Sequence, residues 1–250
     1  MRVAALYDIH GNLPALEAVL PEVRAAGVTH VVVGGDVIPG PQPRETLARL
    51  FDLGVPTGFV YGNGEVAVLA AREGREVYRM PDSAREAVRW TARQLAPELA
   101  ERLASWPRTF RLDVPGPGLG GVLFCHATPR DENEGFLRTT PEERLLPIFA
   151  GLDVALVVCG HTHMQFDRTV GGIRVVNAGS VGMPFGEPGA DWLLLGPDVE
   201  LRHTAYDLQA AAERIRGTEY PQAEEFAARY ILNPPTEREM LELFSKALSQ

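Results

Sequence analysis

The sequence predicts an α/β fold in which two sheets pack face to face with helices on the outside. Three observations predict it. In the first hundred residues, short apolar runs alternate with helical patterns, as in βαβ units with parallel strands. From Phe110 onward the texture changes to closely spaced strand pairs. The residues best suited to bind a metal fall just after the apolar runs, where open α/β sheets build their sites beyond the carboxyl ends of strands.

The elements follow in order. Val3 to Leu6 is a buried strand. Asn12 to Gly27 is a helix: Asn12 caps it, Pro14 suits the first turn, and Leu16, Val19, Leu20 and Val23 form an apolar stripe that ends at Gly27. With the Thr29–Gly34 strand it completes a βαβ unit with a right-handed crossover. Pro43 to Leu53 reads as a second helix leading to a strand at Thr57–Val60, and Asp82 to Leu95 as another, with Pro97 breaking or restarting it. The strands expected next are Thr109–Val114, Gly121–Cys125, Val154–Cys159, Gln165–Val170, Ile173–Asn177, Trp192–Leu195 and Val199–Tyr206. In the tail, Ala223, Phe226, Ala227, Tyr230 and Ile231 have helical spacing, as do Met240, Leu241, Phe244, Ala247 and Leu248, with Asn233-Pro234-Pro235 between the two sets. Residues 1–250 are expected to form a single domain. Residues 207–250 would be a helical extension packed on it, with a homo-oligomer contact as the second reading of those helices.

Composition narrows the function. A net charge of −9, from 24 basic and 33 acidic residues, argues against a broad nucleic-acid surface. No apolar stretch is long enough to span a membrane, and the N-terminus runs into its first polar motif without room for a cleavable signal, so a cytoplasmic protein is expected. Cys125 and Cys159 lie inside strands and read as core thiols without a disulfide. Lys246 is the only lysine, a bias toward arginine that fits either genomic composition or heat adaptation.

Asp8-Ile9-His10, Gly35-Asp36, Gly62-Asn63, His126 and Gly160-His161-Thr162-His163 each end an apolar run. Five strand ends thus deliver seven oxygen and nitrogen ligands: Asp8, His10, Asp36, Asn63, His126, His161 and His163. Seven are too many for one tetrahedral zinc and suit two metals sharing a carboxylate. Mixed carboxylate, amide and imidazole ligands suit manganese, iron, nickel or zinc, with manganese the expected ion in vitro. His30 and His203 lie away from these motifs and read as structural. The Gly116–Gly121 segment spells G-x-G-x-x-G but lies between strands and reads as a hairpin turn.

D-x-H, G-D, G-N, a lone strand-end histidine and G-H-T-H, in that order, resemble the calcineurin-like metallophosphoesterases. Asp8-Ile9-His10-Gly11-Asn12 and Asn177-Ala178-Gly179-Ser180-Val181-Gly182 further resemble their small bacterial phosphodiesterase branch. The resemblance runs from about Met1 to Asp207. It implies a four-layer α-β-β-α sandwich of two mixed sheets. It also implies one metal on Asp8, His10, Asp36 and His163 and the other on Asp36, Asn63, His126 and His161. The chemistry implied is attack on a small phosphate ester by a metal-bridging hydroxide, with Asp36, Asn63 and His126 as catalytic residues, and a phosphodiester is the expected substrate. Protein or small-molecule phosphomonoesters are the alternative, followed by a non-catalytic metal-binding scaffold. Arg130 and Arg138, in a polar loop after His126, are candidates to clamp a phosphate. Asn12 is first a helix cap and second a substrate contact, and Asn177 is a candidate to position a loop beneath the metals.

One departure from the family matters. Many members carry histidine directly after Gly-Asn, placed to protonate the leaving group, whereas this chain has Gly64 followed by Glu65. General acid catalysis is typically worth about 10²–10⁴-fold, so esters with acidic leaving groups are expected to react best. Gly64→His is expected to relax that preference if the backbone accepts a Cβ. Glu65 is assigned to the start of the helix that follows, with proton donation as its other possible role.

Overall fold

The structure, a computed structural model, describes residues 1–247. β1 (Val3–Leu6), α1 (Leu13–Ala25) and β2 (His30–Val33) form a parallel βαβ unit, and α2 (Pro43–Phe51) leads to β3 (Thr57–Phe59), parallel to β2. α3 (Asn63–Arg72), α4 (Asp82–Gln94) and α5 (Pro97–Ala104) follow. β4 (Thr109–Val114) and β5 (Gly120–Cys125) pair as an antiparallel hairpin, so the glycine-rich segment between them is a turn. After α6 (Glu142–Phe149) come β6 (Leu156–Cys159), β7 (Phe166–Val170), β8 (Ile173–Asn177), β9 (Ala190–Leu195) and β10 (Val199–Thr204). The tail holds α7 (Leu208–Arg216), α8 (Ala223–Phe226), a π-helical stretch at Ala227–Leu232 and α9 (Glu237–Ala247). Leu248, expected on the last apolar stripe, lies outside the described residues.

The strands form two mixed five-stranded sheets, ordered β10-β9-β1-β2-β3 and β4-β5-β6-β8-β7. In the first, β9 returns antiparallel to β1. In the second, β5, β6 and β8 run parallel between antiparallel edge strands β4 and β7.

The central strands are continuously apolar because both of their faces are covered. Val3 and Ala5 of β1, with Tyr7 just beyond, join Leu193 and Leu195 of β9 against Val122, Phe124, Leu156 and Val158 of the second sheet. The alternate residues Ala4 and Leu6 pack with Leu16, Val19 and Leu20 of α1. In the second sheet the same alternation sends Cys125, Val157 and Cys159 outward against Leu145 and Phe149 of α6. Period-two strands between helices therefore make the α-β-β-α stack. Both cysteines are buried and free, as the strand positions predict.

The sequence reading does not anticipate α6. Pro147 sits inside this eight-residue helix, and only Leu145 and Phe149 are buried, which is too short a stripe to show a period. The tail is tied to the body by the Arg214–Glu17 and Arg138–Glu237 ion pairs, by a hydrogen bond from Gly186 N–H to the Pro235 carbonyl, and by the Phe185–Phe244 ring contact.

Candidate metal centre

Turns leaving the carboxyl ends of β1, β2, β3, β5 and β6 bring all seven predicted ligand residues together. Asp8 Oδ1 lies 3.3 Å from His163 Nε2, 3.9 Å from His10 Nε2 and 3.8 Å from His126 Nε2. Asp36 presents its two oxygens to different rings: Oδ2 is 3.8 Å from His10 Nε2 and Oδ1 is 3.5 Å from His126 Nε2. His10 and His163 face each other through Nε2 at 3.2 Å. On the other side, His126 Nε2 lies 3.1 Å from Asn63 Oδ1 and 3.3 Å from His161 Nδ1. Asp8, His10 and His163 form one group able to hold a metal ion, and Asp8, Asp36 and His126 form a second.

The backbone is strained at these loops. Asp8, His10, Asp36, His161 and His163 have φ between 48° and 67°, and they are the only non-glycine residues with positive φ among the described residues. Left-handed backbone costs a side-chain-bearing residue about 1 kcal/mol or more, and it persists only where the surroundings impose it. Here β-sheet hydrogen bonding runs into the turns: Asp8 N–H donates to the Gly35 carbonyl, His10 N–H to the Asp36 carbonyl and Gly182 N–H to the Asp8 carbonyl. Asn177 donates to the Gly160 carbonyl and to Thr162 Oγ1 while accepting from Gly179 N–H, so it holds the His161–His163 loop in place.

Ring orientation is set by main-chain carbonyls. His126 Nδ1–H donates to the Gly34 carbonyl and His163 Nδ1–H to the Met183 carbonyl, which leaves Nε2 of each free to act as a ligand. No residue type marks such acceptors, so sequence reasoning misses Gly34 and Met183.

Burial and charge suit the site to a cation. Burial raises the pKa of Asp8, but His163 and His126 outweigh it and hold the carboxyl below its ordinary range. Asp8 Oδ2 accepts from His161 N–H, yet Oδ1 is buried with no hydrogen-bond partner. A buried, ionised, unpartnered oxygen ringed by imidazole nitrogens is costly unless a cation binds it. Burial pulls His161 down to about 4 and lowers His10, which keeps both rings in the neutral, ligating form. Burial also works against protonation of His126 and His163, but the carboxylates outweigh it, Asp36 and Asp8 at His126 and Asp8 at His163.

Three expectations are corrected. The Asn12 side chain is wholly buried: its Oδ1 accepts from Ala15 N–H, and its amide donates to the Gly182 carbonyl and to Tyr206. It is a cap and a loop tie and has no free group to offer a substrate. Arg130 is bound to Glu134, with Nε 2.8 Å from Oε2, and Arg138 pairs with Glu237. Neither arginine lines the cavity at the metal centre. Gly64 lacks positive φ, but a Cβ there would overlap the Ile38 carbonyl oxygen and crowd Asp36 Oδ1 at 2.9 Å. Histidine therefore does not fit at position 64, for steric rather than torsional reasons. Gly64 N–H instead donates to Asp36 Oδ1 at 2.7 Å.

Glu65 is fully buried and accepts from three backbone amides: Asp36 at 2.8 Å, Gly62 at 2.7 Å and Ile38 at 3.2 Å. Burial, then the charge of Asp36, pushes its pKa up to about 7. Its carboxylate clamps the Asp36 loop to the start of α3 and does not line the cavity at the metal centre.

His10, Asp36, Asn63, His161 and His163 line one part of a cavity of about 800 Å³. Its other walls include Tyr78 and Arg79, between α3 and α4, and the tail residues Tyr220, Phe226, Tyr230 and Phe244. Helical spacing in the tail reads as core packing, so the sequence does not reveal this wall.

The profile of the calcineurin-like phosphoesterase superfamily domain matches residues 1–196. An uncharacterised protein of Methanocaldococcus jannaschii, MJ0912, is 27% identical over 246 residues, covering 88% of this chain and 94% of that protein. Among solved structures, a metallophosphoesterase from Sphaerobacter thermophilus superposes with a TM-score of 0.72 at 26% identity, covering 92% of this chain and 98% of the other. Hypothetical protein PH1004 from Pyrococcus horikoshii superposes with a TM-score of 0.79 at 20% identity, covering 94% and 99%, and shares the fold. With its motifs gathered at one end of a two-sheet sandwich, the chain belongs to the calcineurin-like phosphoesterase superfamily.

Proposed function

We propose that this protein is a dinuclear metal-dependent phosphodiesterase acting on a small phosphate ester. The observation that carries the reading is the Asp36 carboxylate, whose two oxygens face His10 on one side and His126 on the other. Asp8, His10, Asp36 and His163 hold one ion, and Asp36, Asn63, His126 and His161 hold the other. When bound, such a pair supplies Lewis-acid charge for the phosphoryl oxygens and lowers the pKa of a water that serves as nucleophile. Manganese is the ion proposed for assay, and iron, zinc and nickel suit the same ligands. The protein's own contribution is orientation: carbonyls fix the His126 and His163 tautomers, Gly64 N–H fixes Asp36, and Asn177 fixes the loop carrying His161 and His163. The name of the Sphaerobacter relative, a metallophosphoesterase, supports a phosphoesterase reading. Two buried free thiols fit a cytoplasmic setting. Residues 207–250 are read as an extension of the same domain, and Tyr220, Phe226, Tyr230 and Phe244 among them furnish part of the cavity wall.

With no side chain at position 64 and Glu65 turned inward, this loop offers no proton to a leaving group. Turnover should depend steeply on leaving-group acidity, with aryl diesters such as bis(p-nitrophenyl) phosphate far ahead of alkyl diesters. A panel of phosphodiesters, monoesters and phosphopeptides, each assayed with manganese, iron, nickel and zinc, tests this. Faster turnover of monoesters or phosphopeptides establishes the monoesterase alternative. No turnover with both ions bound establishes a scaffold.

A further inference from the structure

The cavity beyond the metal centre has a built character that hydrolysis of a bare phosphate does not require. Tyr78, Tyr220, Phe226 and Tyr230 line it. The tail rings support one another: Phe226 lies 6.1 Å from Tyr220 and 5.7 Å from Tyr230, and Trp90 meets Tyr220 edge-on at 5.4 Å. Tyr78 and Tyr230 are only partly buried, so part of each side chain stays open. Arg79 lines the same cavity, and its side chain has no ion-pair or hydrogen-bond partner among the described residues. A guanidinium without a partner, in a cavity that aromatic side chains also line and where Glu225 is an acidic neighbour on the wall, marks a place for an anionic ligand with a flat ring.

We infer that the cavity selects a nucleotide-type phosphodiester, one arm of which carries a heteroaromatic base that stacks on the tyrosine wall, with Arg79 against its charge. The inference rests on the phosphodiesterase reading and names its substrate class. Size agrees, since pockets for organic ligands of this kind span roughly 300–1,000 Å³ and this cavity is about 800 Å³. An acyl chain would suit Val77, Met80, Ala87 and Val88 on the wall but would leave Arg79, Ser83 and Asn133 facing apolar matter, whereas a ring with polar edges serves both sets. A base offers its face to the rings and polar edges to those side chains. The tail thereby takes part in substrate selection as well as packing.

The test is calorimetric titration of manganese-loaded protein with adenosine 5′-monophosphate, ribose 5-phosphate and inorganic phosphate. Base–aromatic stacking is worth roughly tenfold or more in affinity, so the nucleotide should bind at least about tenfold more tightly than the sugar phosphate. Tyr230→Ala should remove most of that margin, Tyr230→Phe should keep it, and Arg79→Gln should weaken nucleotide binding about threefold or more. Inorganic phosphate should bind all variants as it binds the wild type, reporting an intact metal centre. If Tyr230→Ala loses phosphate as well, Arg79→Gln decides, because that side chain is exposed and holds no hydrogen bond or ion pair among the described residues: the nucleotide must weaken and phosphate must not. Wild-type protein that hydrolyses no phosphodiester overturns the parent reading. Wild-type protein that hydrolyses diesters yet binds nucleotide and sugar phosphate within about twofold overturns this inference alone.

Discussion

Gly64 stands where many members of the superfamily carry histidine, and here its amide is committed to Asp36 Oδ1 while the space above its Cα is taken by the Ile38 carbonyl. Overpacking of this kind typically costs about 1–3 kcal/mol. Gly64→Ala should therefore lower the melting temperature by roughly 3–10 °C and weaken manganese binding. Gly217→Ala is the control: its φ is not left-handed and a Cβ would meet only ordinary contacts at 3.5–3.6 Å, so stability should hold. Wild-type metal affinity in Gly64→Ala would contradict the close approach described here. Away from the metal centre, His203 Nδ1 lies 2.7 Å from Asp191 Oδ1, and that bond raises the histidine above its ordinary value. Burial pushes Asp191 upward and the bond draws it back in part. The sign follows from the raised histidine: the pair's stabilisation is fully present below the unfolded histidine pKa of about 6.5 and is lost as pH rises through the folded value. NMR titration should show His203 titrating above the ordinary histidine value of about 6.5, and Asp191→Asn should bring it down; an unshifted His203 would contradict the pairing.

At the scale of elements, α1 shows how a single cap serves both helix and site. Asn12 caps the helix through Oδ1 and ties the Gly182 turn through its amide, and Gly182 N–H in turn holds the Asp8 carbonyl. Loss of the cap costs about 1 kcal/mol and a stranded buried carbonyl about 1–3 kcal/mol more. Asn12→Ala should lower the unfolding free energy measured by denaturant titration by that sum, and a change below about 0.5 kcal/mol would refute the double role. Cys125 and Cys159, on the outer face of the second sheet, have thiol pKa values raised by burial. A thiol reagent should label neither in native protein and both after unfolding; rapid native labelling would contradict their packing. The sequence makes these strands legible because a strand covered on both faces must be apolar at every position, and it makes the ligands legible because a turn residue is polar for a reason. α6 is not legible, since Pro147 interrupts it and its buried stripe holds only two residues. Neither are the carbonyls of Gly34 and Met183, because every residue has one. Phe226 and Tyr230 show helical spacing, but that spacing leaves unsaid that they line a cavity together with Tyr220.

Across the whole molecule, two sheets hold rigid the turns that carry the ligands, and the cost of those turns is concentrated at five left-handed residues and one unpartnered carboxylate oxygen. Ions that bind the folded state alone return that cost as stability. Manganese at about a hundred times its dissociation constant should add about 2.7 kcal/mol per site, and chelation should remove it. Whether two ions share Asp36 is decided by counting manganese per chain at saturation in wild-type protein and in Asp36→Asn. The wild type should bind about two equivalents, and the variant should lose most of both. Saturation at one equivalent, or an Asp36→Asn protein that keeps two, would contradict the shared site.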